Sequence, residues 1–205
     1  MKDKNKNTTM PQCVQTSVMP RCGLLKKYNI IYADPAWSFN NKNTGGSLKS
    51  GASAHYNTMS VDEMCKLPIN EIADENCVLF MWWVGSQPKE AIKLVESWGF
   101  TIKTMTGFNW VKTTKLGKLF FGMGFWTRAG SECCLIAVKG KPKRIDASIR
   151  SVITEPIDIH SKKPQVFREQ IVKLMGDVPR VELFARNSSV GWDIWGNEVE
   201  STIVL

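Results

Sequence analysis

Asp34, Pro35, Ala36 and Trp37 follow one another directly after a short apolar run, and their types suit chemistry on a planar base. A carboxylate can accept hydrogen bonds from an exocyclic amine, a proline fixes the backbone of a turn, and an indole ring can stack on the face of a base. The same residues would also serve as an ordinary turn from a strand to a loop, with Trp37 packed in the core. The strands and helices predicted around the turn help to decide between a functional turn and a purely structural one.

The turn ends a predicted strand. Tyr28 to Ala33 is rich in β-branched and aromatic residues and stops at Asp34-Pro35, as a buried strand does. In open α/β sheets, ligands bind beyond the carboxyl ends of the strands. We therefore expect functional residues in the loop after Ala33 and in the loop after the later strand at 181–185.

The rest of the chain alternates strand and helix patterns. Apolar or strand-like runs predict further strands at 77–84, 100–111, 133–138 and 181–185. Helices are predicted after the capping box of Ser60 and Glu63, between Pro88 and Gly99, and over 164–175. This alternation predicts an α/β sandwich with a largely parallel sheet. Neither a G-x-G-x-x-G after the first strand nor a Walker sequence is present, so dinucleotide and nucleotide-triphosphate sites lack their signatures.

The chain has 205 residues, 43% of them hydrophobic and 22% charged, which predicts a folded protein. Residues 1–26 are poor in large apolar side chains and broken by Pro11 and Pro20, so we expect a flexible basic tail before one domain at 27–205. The N-terminus lacks an apolar signal region and no run of eighteen apolar residues occurs, so we expect a cytoplasmic protein, or a nuclear one in a eukaryote, without membrane contact.

Cysteine and histidine usage argues against a metal or disulfide framework. The six cysteines include no C-x-x-C pair, and the chain has two histidines, His55 and His160. We therefore expect buried thiols at Cys77, Cys133 and Cys134, and no metal site.

The net charge of +8 suggests a polyanionic partner, although solubility alone can explain such a charge. The excess is uneven, because residues 103–150 alone carry a net +8. The basic residues of this stretch singled out as candidates for phosphate contact are Lys112, Lys115, Lys118, Arg128, Lys139, Lys141, Lys143, Arg144 and Arg150.

The sequence resembles the adenine-N6 amino-methyltransferases with a D-P-P-W type motif. This family includes the catalytic subunit of the messenger-RNA adenosine methyltransferase and compact phage or prophage Dam-like DNA methyltransferases. The likeness covers nearly all of residues 28–199. It rests on motifs in the family's order, namely Tyr32 to Trp37, Tyr56 to Ser60 with Glu63-Met64, Gly124 to Arg128 leading into Glu132 to Leu135 and Val138 to Gly140, His160 to Pro164, Glu182 to Arg186, and Gly191-Trp192 with Gly196 to Glu198. The compact phage-type enzymes also share 140–144 and the ending at 195–198.

The resemblance implies a Rossmann-like fold that uses S-adenosyl-L-methionine and releases S-adenosyl-L-homocysteine, with the catalytic motif ahead of the cofactor segment in a permuted order. It implies that Asp34 and the Pro35 carbonyl accept the amine hydrogens of the target base, and that Trp37 and Tyr56 bracket or gate the base and the cofactor. Ala36 departs from the usual proline, which restores a backbone N–H and loosens the turn. We expect activity to survive this change, with target preference at risk.

The resemblance also implies cofactor contacts by Asp34, Lys163, Glu182, Arg186, Asn197 and Glu198. Lys163 is the candidate for the methionyl carboxylate, against the alternative of a solvated surface lysine. Glu182 could instead be structural and pair with Arg186. Tyr56 is a candidate for the base, or else a loop aromatic that covers the core.

The expected partner is DNA, with Tyr56, Lys115, Lys118 and Arg128 as substrate-binding residues and target choice in loops 38–55 and 113–128. RNA adenine and DNA cytosine-N4 methylation remain enzyme alternatives, since the same turn serves any exocyclic amine. A non-catalytic nucleic-acid-binding subunit of the same fold is the alternative outside catalysis. We expect a monomer or a homodimer.

Overall fold

The computed structural model describes residues 26–37, 59–124, 126–158 and 162–205. In these ranges the strands are β1 (Tyr28–Ala33), β2 (Ala73–Trp83), β3 (Thr101–Thr113), β4 (Ser131–Lys139), β5 (Val152–Pro156), β6 (Arg180–Leu183) and β7 (Asp193–Trp195). The helices are α1 (Val61–Cys65), α2 (Ile69–Ile72), α3 (Pro88–Ser97) and α4 (Val166–Met175).

The described strands form one sheet in the order β5-β3-β4-β2-β1-β6-β7. Strand β4 runs antiparallel to both of its neighbours, β2 and β3. Every other neighbouring pair is parallel. The prediction of a largely parallel α/β sheet is therefore confirmed, and the chain reverses direction across the sheet at β4.

Strand β1 lies between β2 and β6 and is covered on both faces. Ile31 and Ala33 pack into an apolar cluster with α1, α2 and α3. Ile30 and Tyr32 point to the opposite face, where the cluster includes residues of α4. Because successive strand residues alternate between faces, a run of apolar residues such as β1 needs helices on both sides.

Several local predictions are confirmed at the level of individual hydrogen bonds. The Ser60 hydroxyl accepts from the Glu63 N–H at 3.2 Å, and the Glu63 carboxylate accepts from the Ser60 N–H at 2.7 Å, which completes the capping box before α1. Helix α3 begins at Pro88, and Gly99 follows it with a φ of 81° that a side-chain-bearing residue rarely adopts.

Helix α2 and strands β5 and β7 were not predicted. Strand β7 has three residues and α2 has four, so neither is long enough to show a period. Strand β5 lies at the edge of the sheet, is half-exposed and ends at Pro156, and these features weaken its strand pattern.

Among the cysteines, Cys77 and Cys134 are buried as predicted, whereas Cys133 is half-buried.

The predicted tail up to residue 25 and the loop at 38–58 lie outside the described residues. In the described part of the chain, no helix is long and apolar enough to span a bilayer.

Candidate active site

Asp34 and Glu132 come from different strands to the same edge of the sheet. Asp34 follows the carboxyl end of β1. Glu132 stands at the amino end of β4, and because β4 is antiparallel, this end lies beside the carboxyl end of β2, where Trp83 pairs with Cys133. The antiparallel direction of β4 therefore places the Glu132 carboxylate at the edge of the sheet where the parallel strands end and where functional residues are expected.

Lys163 joins these two carboxylates. Its Nζ lies 2.8 Å from Oδ2 of Asp34 and 3.1 Å from Oε2 of Glu132. The lysine is 8% exposed, and its Nζ lies 5.2 Å from the centroid of the Trp82 ring. The alternative of a solvated surface lysine is therefore wrong, since an ammonium buried this deeply needs the carboxylates that surround it.

Glu132 is shared by a second lysine, Lys112 of β3, which pairs with its other oxygen. Burial alone raises the pKa of Glu132, but the ammonium groups of Lys163 and Lys112 outweigh burial and hold the pKa of this carboxyl at about 2. Burial lowers the pKa of Lys163, whereas Asp34 and Glu132 raise it, and the balance leaves its pKa above the ordinary value. The alternating charges form a chain from Asp34 to Lys112.

Trp37 is held beneath this edge. Its side chain is 4% exposed, packs in the cluster with α1 to α3, and donates from Nε1 to the Trp82 carbonyl at 3.1 Å. The Trp37 N–H donates to the Pro35 carbonyl at 2.8 Å, which closes a three-residue turn around Ala36. In this conformation the indole is packed in the core under the turn, and little of its ring surface is available to stack on a base.

Glu182 lies on the same face of the sheet as Tyr32, its register partner in β1. It is 4% exposed and accepts two hydrogen bonds from Arg168 of α4, one of them from Nε at 2.7 Å. The Arg168 guanidinium also lies over the Tyr32 ring, 5.4 Å from its centroid. The ion-pair partner of Glu182 is thus Arg168, where the sequence suggested Arg186.

Three other predicted cofactor residues lie beyond the ends of β6 and β7. Arg186 follows β6, and its Nε lies 3.6 Å from Oε1 of Glu198, which follows β7. Asn197 and Glu198 are exposed. Between them and β6, Phe184 has a φ of 59°, an uncommon conformation for a residue with a side chain. These residues stand at the carboxyl edge on the side of β1 opposite Glu132.

The predicted basic stretch is divided between the two edges of the sheet. Lys115, Lys118 and Arg128 are exposed on the loop between β3 and β4, at the edge that holds Asp34. Because β4 then carries the chain back across the sheet, the residues after it emerge at the opposite edge, among them Lys141 and Lys143. The candidates for phosphate contact are therefore divided between the two edges, and Lys112 is paired with Glu132.

The structure brings Asp34 and Lys163 together, and places Arg186 beside Glu198 at the same edge. Tyr56 lies outside the described residues. Glu132 and Arg168 were missed as site residues, and Lys112, a candidate for phosphate contact, pairs with Glu132. One signal for Glu132 was available, because it is one of two acidic residues in the strongly basic segment 103–150 and begins a buried strand.

Sequence comparisons relate this chain to known methyltransferases. The MT-A70 family model matches residues 28–198. The type II methyltransferase M.MunI of a Mycoplasma species is 35% identical over 190 residues, which are 85% of this chain and 78% of that protein. The human N(6)-adenosine-methyltransferase catalytic subunit METTL3 is 27% identical over 187 residues, which are 89% of this chain and 30% of METTL3. An N(6)-adenosine-methyltransferase MT-A70-like protein of Arabidopsis thaliana is 27% identical over 90% of this chain and 26% of its own length.

The chain thus spans less than a third of these two N(6)-adenosine relatives and more than three quarters of the type II methyltransferase. The family model covers the whole sheet from β1 to β7, including Asp34, Glu132 and Lys163. On this match, the chain belongs to the MT-A70 family of methyltransferases.

Proposed function

We propose that this protein is an S-adenosylmethionine-dependent DNA adenine-N6 methyltransferase that transfers a methyl group directly to the exocyclic amine of an extruded adenine. The observation that carries the proposal is the position of Asp34. Its side chain is 18% exposed, stands at the carboxyl end of the interior strand β1, and lies on one turn with the Pro35 carbonyl.

Asp34 and Pro35 have the chemistry that an amine substrate needs. The lone pair of an adenine amine is delocalised into the ring, so the amine must be held with its hydrogens engaged and its lone pair turned toward the methyl donor. The Asp34 carboxylate and the Pro35 carbonyl are both acceptors, and a carbonyl that accepts from Trp37 retains a second lone pair. The N–CH3 bond forms as the S–CH3 bond breaks, S-adenosylhomocysteine leaves, and the nitrogen then loses one proton to Asp34 or to water. Positive charge develops on the nitrogen as the methyl arrives, so a carboxylate placed there stabilises the transition state more than the ground state.

The donor set at this edge fits S-adenosylmethionine. The cofactor supplies the methyl group from a sulfonium and carries an ammonium, a carboxylate and two ribose hydroxyls. The carboxylates of Asp34 and Glu198 suit the cationic groups and the hydroxyls, Asn197 can bond a hydroxyl or a base edge, and Arg186 or Lys163 suits the carboxylate. Glu182 is held by Arg168, so a direct cofactor contact there would require that pair to open.

DNA is the substrate that we favour. One relative that this chain resembles over most of both lengths is a type II methyltransferase, whereas the N(6)-adenosine relatives named above are far longer than the matched region. The exposed lysines and arginine of the β3–β4 loop provide cations for phosphates at the catalytic edge.

The test measures transfer of tritiated methyl groups from S-adenosylmethionine to two substrates, native plasmid from a host lacking adenine methylation and a transcript of the same sequence, with a blank that contains no nucleic acid. Digestion to nucleosides and mass spectrometry then identify the product. We expect N6-methyladenine in the plasmid, and a loss of about 100-fold or more in Asp34→Asn.

The matched control is Asp74→Asn, at the start of β2 on the opposite edge, which should keep the parental rate. N4-methylcytosine as the product, transfer to the transcript alone, or DNA binding without transfer would each overturn the proposal in favour of one alternative. An Asp34→Asn protein as fast as the parent would overturn the role of Asp34.

A further inference from the structure

The loop between β3 and β4 is built as two successive turns. In the first, Gly117 N–H donates to the Thr114 carbonyl at 2.9 Å, and Thr114 N–H donates to the Lys118 carbonyl at 2.8 Å. The second is closed by hydrogen bonds of 3.0 and 3.3 Å between Gly122 and Ala129. A Cβ on Gly124 would stand 1.9 Å from the Thr127 carbonyl oxygen, so the second turn is tight.

The two turns expose an unusual amount of apolar surface. Five large apolar side chains of this loop are at least 73% exposed, and they are Leu116, Leu119, Phe121, Met123 and Trp126. Trp126, in the second turn, is 100% exposed. So many exposed apolar side chains within eleven residues of one loop indicate a surface that another molecule covers.

The charge of the loop indicates which kind of molecule. Residues 113–130 contain three basic residues, Lys115, Lys118 and Arg128, and no acidic residue. The Arg128 guanidinium lies 5.0 Å from the centroid of the Phe121 ring, so cation and aromatic ring form one surface. Aromatic rings interleaved with cations suit the stacked bases and phosphates of a nucleic acid.

The loop also stands where a nucleic acid must approach the site. Lys112 and Glu132 flank it and pair with each other, and Glu132 contacts Lys163 beside Asp34. Trp126 precedes Glu132 by six residues, so an extended chain places it at most about 20 Å away. Asp34 itself is recessed, and an adenine stacked in a duplex cannot reach it without leaving the helix.

We propose that the β3–β4 loop is a wedge that enters duplex DNA beside the target, with Trp126 occupying the space that the extruded adenine leaves. This inference rests on the proposed function and assigns the extrusion step to one residue. Lys115, Lys118 and Arg128 hold the flanking phosphates, and Trp126 replaces the stacking that the duplex loses, which lowers the free energy of the extruded state.

The experiment compares Trp126→Ala with the parent on two forms of the same linearised plasmid from a host lacking adenine methylation, one native and one heat-denatured. Because a single strand has no duplex to open, a wedge is required on the native form alone. We expect Trp126→Ala to lower the native rate by about tenfold or more and the denatured rate by less than about threefold. Trp126→Phe, which keeps a stacking ring, should recover most of the native rate.

The matched control is Ile145→Ala, which removes another largely exposed apolar side chain, on the loop after β4 at the opposite edge. Equal losses on native and denatured plasmid, or a change of oligomeric mass in Trp126→Ala by light scattering, would overturn the wedge and indicate general binding or a protein interface. No transfer by the parent to either form would instead contradict the proposed function.

Discussion

The Nζ of Lys163 lies 2.8 Å from Oδ2 of Asp34, so the residue expected to hold the cofactor is bonded to the residue expected to hold the base. The two are 129 positions apart in the chain and meet because α4 begins over the end of β1. Lys163 also contacts Glu132, so one ammonium group neutralises two carboxylates. Its first role is therefore to fix the position of Asp34.

Lys163→Met is expected to destabilise the protein by about 3 kcal/mol, because it leaves two carboxylates without their shared cation. Urea unfolding at pH 7 measures the change. Lys163→Arg, which keeps the charge, should lose less than half as much free energy of unfolding as Lys163→Met. Equal destabilisation in both variants would indicate that the packing of the lysine stem matters more than its charge.

Stability should fall in acid through Glu132. Its pKa lies at about 2 in the folded protein against an ordinary value of 4.5, so its ion pairs stabilise fully above about pH 4.5. This contribution, up to about 3 kcal/mol, is lost as the pH falls from 4.5 toward 2. In urea titrations, Glu132→Gln should be less stable than the parent at pH 6, and the difference should shrink at pH 3. A difference independent of pH would exclude the carboxylate charge as its cause.

Arg168 and Glu182 are expected to behave as a buried pair. Glu182→Gln and Arg168→Met should each cost about 3 kcal/mol, since each leaves a buried group unpaired. The double variant Arg168→Met/Glu182→Gln should be more stable than the sum of the two single effects predicts, as a double-mutant cycle in urea would show. Calorimetry with S-adenosylmethionine separates the roles, because a structural pair weakens affinity equally in both single variants. A larger effect in Glu182→Gln would support direct contact of Glu182 with the cofactor.

Lys115→Gln/Lys118→Gln is expected to weaken DNA binding and to reduce the slope of log affinity against log salt by about 2, one unit for each phosphate that a lysine no longer neutralises. Fluorescence anisotropy across a salt series measures this slope. Lys141→Gln/Lys143→Gln is the control, since it removes two exposed lysines from the opposite edge. Identical slopes in the two double variants would mean that the position of these charges does not matter.

Ala36→Pro should stabilise the catalytic turn. The hydrogen bond from Trp37 N–H to the Pro35 carbonyl spans one residue, and Ala36 is not among the described residues with positive φ, so the turn is an inverse γ-turn. The φ of its central residue is close to that of proline, so we expect a gain of about 0.4–1 kcal/mol in thermal or urea unfolding. A loss of stability would show that the Ala36 N–H has a necessary partner.

The sequence was sufficient for the elements whose pattern is local. The strand at Tyr28–Ala33, the capping box of Ser60 and Glu63 and the helix after Pro88 all follow from neighbouring residues. The turn at Asp34 was found for the same reason, since the end of a predicted strand marks it.

The ion pairs between residues of distant elements could not be predicted from neighbouring residues. Glu132 reaches Lys163 because β4 runs antiparallel, and Arg168 reaches Glu182 because α4 packs on the face that carries Tyr32. Sheet order and direction arise from packing of the whole domain, so neither pair is visible in the spacing of residues. The same reversal divides the basic stretch between two edges.

The antiparallel ladder between β3 and β4 also bears on how such a protein can diverge. The ladder, from Thr101 opposite Val138 to Val111 opposite Ser131, fixes both ends of the intervening loop independently of its sequence. Since lengthening a surface loop adds little closure entropy, this segment can be exchanged or extended while Asp34, Lys163 and Glu132 keep their places. The fold thus allows this loop, with the wedge that we propose for Trp126, to be exchanged by grafting without moving the carboxylates and lysine beside it.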